Sequence, residues 1–228
     1  MNGEYLRQAR LNREWSQQQA ARRLRVSQTY LSMLERNQRS VPDKLADRVR
    51  KIYGLPPTAI PLSPEVGYER ADADEMAKAL AALGYPGFAY LRSRVKRNPA
   101  ELLLIALMQP DLDSRVVEAL PWLVVHYVEM DWNWLLRNAR LHDLQNRLGF
   151  VVTLAGRIAE GRNDPERLAK LAYYETLLDR SRLAREDTLC HDALSEAERR
   201  WLREHRSREA RHWNLLTDLS AEHLTHAA

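Results

Sequence analysis

The sequence is short of the residues that usually carry chemistry or cross lipid. It has one cysteine, Cys190, in 228 residues, so no internal disulfide can form, and a reducing cytoplasm is the expected setting. Glycine occurs eight times and phenylalanine twice. No Gly-rich loop that could cradle a phosphate, no nucleophile elbow and no His-Glu-x-x-His motif is found. No apolar run approaches the ~18 residues needed to span a bilayer, and the first residues lack the apolar core of a signal peptide. Seven histidines are present. However, His205, His212 and the Cys190–His191 pair lack the His-x-x-x-His or Cys-x-x-Cys spacing that would turn two ligands toward one ion. The expectations are therefore no enzyme, no metal, no cofactor and no membrane partner.

What is present reads as helix. Apolar residues make up 45% and charged residues 29%, strand-type alternation is hard to find, and the length suits two domains with separate cores. Four of the ten prolines fall between Gly54 and Gly67. They mark a stiff linker over 56–69, because proline locks its own φ and biases the residue before it toward extended backbone. The domains are accordingly read as 1–55 and 70–228. Charge divides at nearly the same place. Residues 1–60 hold 12 Lys and Arg against 5 Asp and Glu, a balance of +7, and residues 61–228 hold 23 against 26, a balance of −3. An excess of positive charge confined to the first domain points to contact with phosphates there.

Ser16 to Arg36, SQQQAARRLRVSQTYLSMLER, predicts two short helices joined by a tight turn. Ser16 with Gln19 is a capping box, and Ala20, Ala21 and Leu24 form a small inner face against which a second helix can pack closely. Ser27 caps that second helix, in which Tyr30, Leu31 and Leu34 recur at helical spacing. Gln28, Thr29, Ser32 and Met33 remain on the opposite face, and such side chains can reach base edges in a major groove. Around this hairpin, Glu4 to Arg13 is read as a first helix with Tyr5, Leu6, Ala9 and Leu11 near the core. Trp15 is read as packing, and Lys44 to Tyr53 as a closing helix.

From Leu6 to about Leu55 the chain resembles the Xre/Cro-type helix-turn-helix domain. The resemblance rests on LRQAR (Leu6 to Arg10), SQQQAA (Ser16 to Ala21), VSQTYLSMLER (Val26 to Arg36) and the apolar stripe Leu45, Val49, Ile52. It implies an all-α protein, with an N-terminal five-helix lambda-repressor-like DNA-binding domain followed by a larger C-terminal α-helical domain. It also implies base contacts from Gln28, Thr29, Ser32 and Met33, phosphate contacts from Gln17, Ser27 and Arg39, and a structural ion pair between Arg10 and Glu35. Two positions depart from the pattern, which often has glycine there. Arg25 lies where positive φ is needed, at a cost of roughly 1 kcal/mol for a side chain, and Asn37 is the type that tolerates that conformation best.

The second domain predicts a series of helices. Asp74 to Leu83 and Pro86 to Val95 are short. A helix capped by Asn98 and Pro99 runs to Pro110, and one from Ser114 to Tyr127 is bent or restarted at Pro121. A longer helix, capped by Asp131, reaches about Ile158 with Gly149 weakening its middle. Asp164 with Pro165 starts another, Ser195 with Glu198 caps Glu196 to His205, and Ser207 begins a last helix through Trp213, Leu215 and Leu216. Large aromatics are most often core. Trp201, Arg208 and Trp213, set among arginines, are the candidates for a partner surface instead. The stretch RWLREHRSREARHWNLLTDL over 200–219 is similar to that of proteins encoded beside nucleotidyltransferase toxins. The expected function is a cytoplasmic, dimeric, sequence-specific repressor of its own operon, nucleoid-associated when bound to double-stranded DNA, and antitoxin to a co-encoded toxin. The alternatives are a phage-type or ligand-responsive repressor without a toxin, and an interaction protein that does not bind DNA.

Overall fold

The computed structural model describes residues 3–68, 70–94 and 97–224. The chain divides into two compact units, Met1–Ser63 and Pro64–Ala228.

The first unit is built from α1 (Gly3–Leu11), α2 (Gln17–Leu24), α3 (Gln28–Glu35) and α4 (Asp43–Tyr53). The fifth helix implied by the resemblance is a single 3-10 turn, Pro57–Ala59. Both expected caps form. Ser16 Oγ accepts from the Gln19 amide while the Ser16 amide donates to Gln19 Oε1, and Ser27 Oγ accepts from Tyr30 N. Leu6, Ala20, Ala21, Leu24, Leu31, Leu34 and Val49 close a core in which each is fully or almost fully buried. Tyr5 and Leu11, expected near it, are exposed, because α1 turns only its Leu6–Ala9–Arg10 side inward. The Pro-rich stretch is not one free spacer. Its 3-10 turn belongs to the first unit, and the Pro64 carbonyl accepts a 2.7 Å hydrogen bond from Arg137 in the second. Glu69 lies outside the described residues.

The second unit contains α5 (Ala73–Ala82), α6 (Pro99–Met108), α7 (Ser114–His126), α8 (Trp132–Leu141), α9 (Gln145–Gly161), α10 (Pro165–Asp179), α11 (Glu196–His205) and α12 (Arg208–His212). Asn98 caps α6, whose residues Leu102 to Leu107 are all buried, and α7 runs unbroken through Pro121. Pro86 to Phe88 is a 3-10 turn and not a longer helix, and Val95 lies outside the described residues. The long helix expected from Asp131 is two helices. Leu141 ends α8, and Asp143, with φ of +57°, reverses the chain before α9 begins. The last helix is also shorter than expected. It stops at His212, and Leu215–Leu216 forms β2, paired in parallel with β1 (Asp187–Thr188).

Arg147 on α9 holds this end of the molecule together. Its guanidinium donates to both carboxylate oxygens of Asp187, at 2.8 and 2.9 Å, and to the carbonyls of Leu107 and Gln109, at 3.0 Å each. A buried cation needs this many acceptors to offset its lost hydration.

Candidate nucleic-acid interface

Three side chains set the angle between the helices of the first unit. Arg10 Nε and Nη2 donate to the two oxygens of Glu35 at 2.6 and 3.0 Å, and Arg10 Nη1 donates to the Trp15 carbonyl at 2.8 Å. Gln17 Nε2 reaches Glu35 Oε2 at 2.9 Å. The pair is nearly sealed from water, with side-chain exposures of 9% for Arg10 and 2% for Glu35, and hydrogen bonding to Glu35 raises the guanidinium pKa further. The first turn of α2 is thus tied to the last turn of α3 and the end of α1.

On the outer side of this lock, Ser27, Gln28 and Thr29 are exposed at the start of α3, and Ser32 and Met33 are half-buried one turn on. The inner face of the same helix carries Leu31 and Leu34, both fully buried. Two residues in the left-handed region frame it. Arg25 ends α2 at φ +54°, and Asn37 follows α3 at φ +58° with its Oδ1 accepting the Gly3 amide at 2.6 Å. Arg39 is exposed in the loop beyond, its guanidinium 6.0 Å from the Tyr30 ring centre. The helix therefore presents amides and hydroxyls from a rigid base, with cations at its ends. That arrangement can pair with base edges and neutralise phosphates.

Residues 6–60 match the helix-turn-helix family model. The first unit is an Xre/Cro-type helix-turn-helix domain. It is the domain of a DNA-binding transcription regulator. No curated protein and no solved structure matches the chain.

Not every basic residue of the helix-turn-helix faces outward. Arg10 serves Glu35, Arg13 donates from Nε and Nη2 to the Tyr53 carbonyl at 3.1 and 2.7 Å, and Arg48 donates to the Leu24 carbonyl at 2.9 Å. The roles of Arg13 and Arg48 carry no sequence signal, since a cation spent on a backbone carbonyl looks the same as one awaiting a phosphate. Gln17 is also partly committed. Its amide holds Glu35, leaving for a phosphate the second hydrogen of that amide and its own main-chain N–H, which has no partner within the helix.

In the second unit the three candidate partner residues do not form one surface. Trp201 is 50% exposed and stacked on His205 with ring centres 4.3 Å apart, and Arg208 is exposed at the start of α12. Trp213 is wholly buried, which corrects the expectation that it meets a partner. Its ring fills the space above Gly149, where any Cβ would overlap it, and its Nε1 donates to Thr153 Oγ1 at 2.8 Å. The Thr153 hydroxyl in turn donates to Glu175 Oε1 at 2.6 Å, so one chain of hydrogen bonds links the Trp213 segment, α9 and α10.

Among the described residues no group of three His, Cys, Asp or Glu could hold a metal ion, and no helix is long and apolar enough to cross a membrane. Cys190 is fully buried, and burial pushes its thiol up to about 12.

Proposed function

We propose that this protein is a non-enzymatic, sequence-specific repressor of its own operon that binds DNA as a homodimer, and that its second unit neutralises a co-encoded protein toxin. The observation that carries the DNA reading is the exposure of Gln28 and Thr29 on a helix whose opposite face is locked. Such a helix can be placed in a groove without losing its internal contacts. A dimer fits because a single short recognition helix reads few bases, whereas two reach half-sites about one helical turn, roughly 34 Å, apart. The antitoxin reading is supported by the similarity of the 200–219 stretch and by the exposure of Trp201, Arg200 and Arg208 within it.

The test is a titration against the DNA upstream of the gene, with scrambled competitor, at two salt concentrations. Gln28→Ala should cost about 1–3 kcal/mol on the specific site and relax base preference, and Arg39→Ala should weaken all DNA alike and reduce the salt slope by about 0.9. Wild-type binding no tighter than to the scramble refutes sequence-specific repression and leaves an interaction protein. Failure of the neighbouring gene product to co-purify with the full chain removes the toxin partner.

A ligand-responsive repressor is the second reading, favoured by a cavity of about 360 Å³ in the second unit. Its walls are apolar at Val117, Leu189, Leu202 and Leu216, with Glu118 and Asp218 among its polar lining. Release of operator DNA by a small cationic apolar compound, without any protein partner, would select this reading.

A further inference from the structure

We infer that the outer face of α10 is the surface on which a second copy of this chain docks, antiparallel and across a two-fold axis through Tyr173. The inference rests on the homodimer reading above and gives it an interface. α10 packs mainly on α9, burying Leu171 and Leu178, while Tyr174 at its flank lies flat on Trp132 with ring centres 4.1 Å apart. At 100° per residue, Glu166, Ala169, Tyr173, Thr176, Leu177 and Arg180 fall on the side opposite Leu171 and Leu178. That side has an apolar centre left in water. Tyr173 is 60% exposed, Ala169 is exposed and Leu177 half-exposed.

The stripe is complementary to itself. Glu166 and Arg180 lie seven residues on either side of Tyr173, about 10 Å each way along the helix, and carry opposite charges. Among the described residues neither is in an ion pair. By contrast, Arg167 is paired with Asp164 and Lys170 with Glu129. A two-fold axis through Tyr173 brings Glu166 against Arg180 of the partner subunit, and Arg180 against the partner's Glu166. The same axis sets Ala169 opposite the partner's Leu177, so that a small side chain leaves room for a larger apolar one, and Tyr173 against the partner's Tyr173. An isologous contact requires this reciprocity, and parallel packing would instead oppose like charges.

The experiment is sedimentation of the full chain with three charge variants, together with Tyr173→Cys. Glu166→Arg or Arg180→Glu alone should weaken the dimer about tenfold or more. The double variant Glu166→Arg with Arg180→Glu should restore it, which misfolding of either single variant could not mimic. Because Cys190 is fully buried, the cysteine of Tyr173→Cys is the accessible thiol and should join to its own copy under copper phenanthroline. A wild-type dimer that survives both single reversals, or that leaves Tyr173→Cys uncrosslinked, overturns this interface while keeping the homodimer. A chain that stays monomeric with and without operator DNA overturns both.

Discussion

The backbone at Arg25 is the plainest departure from what its residue type prefers. At φ +54° and ψ +47° a side chain costs about 1 kcal/mol that glycine avoids, so Arg25→Gly should raise stability by about that amount in chemical denaturation. Gly149 gives the opposite sign. Alanine within a helix is worth about 1 kcal/mol over glycine, but here its methyl would drive into the Trp213 ring, and overpacking a tight core costs about 1–3 kcal/mol. Gly149→Ala should therefore destabilise the second unit despite its better helix propensity. Cys190 sets a pH expectation. Its thiol is held up to about 12 in the fold against about 8.5 when unfolded, so the native state keeps the proton that the unfolded chain releases. Its contribution to stability is intact below about pH 8.5 and is lost as pH rises toward 12. At pH 8 a thiol reagent should modify it only as fast as the surrounding structure opens. The positive φ at Arg25 and Asn37 could be read from the sequence, because the resemblance placed both at positions that often hold glycine. The notch at Gly149 could not, since a lone glycine in a helical pattern gives no sign of the ring sixty-four residues away that needs it.

Where elements begin was readable for a local reason. A cap joins a side chain to an amide two or three residues on, so Ser16, Ser27, Asn98, Asp164 and Ser195 mark their helices without help from the rest of the chain. Where elements stop was harder. Asp143 reverses the chain in a stretch whose apolar spacing continues on both sides, and Leu215–Leu216 leaves the helical pattern because Asp187–Thr188 offers it a ladder, a pairing that no local window contains. Among contacts between elements, the Arg10–Glu35 lock decides whether α1, α2 and α3 keep their angles. Removing one partner strands a buried charge, a loss of about 3–5 kcal/mol, whereas an apolar pair of similar volume can be neutral or better. Glu35→Ala should therefore be severely destabilised in thermal unfolding, and Arg10→Met with Glu35→Leu much less so. The double variant should also bind operator DNA less well than its stability suggests, because Gln17 loses the carboxylate that positions it.

The two units have separate cores and opposite charge balance, and tryptophan divides unevenly between them, with Trp15 in the first and the other five in the second. Denaturation should accordingly depart from a single two-state transition. Operator DNA should raise the midpoint of only one step, by linkage to the unit it binds, and Trp15→Phe should silence the fluorescence of that same step. This division was legible in the prolines and charges, but which exposed residues of the second unit work together was not, because tryptophans set among arginines look alike whether they stand in water, as Trp201 does, or are swallowed, as Trp213 is. The burial of Trp213 also imposes an order on synthesis. At ~5–20 residues per second a ribosome needs some 3–13 s to pass from Gly149 to Trp213, and throughout that interval the slot on α9 stands open. The DNA-reading unit is by then already outside the exit tunnel and able to fold, so each nascent chain completes its helix-turn-helix before the second unit is finished.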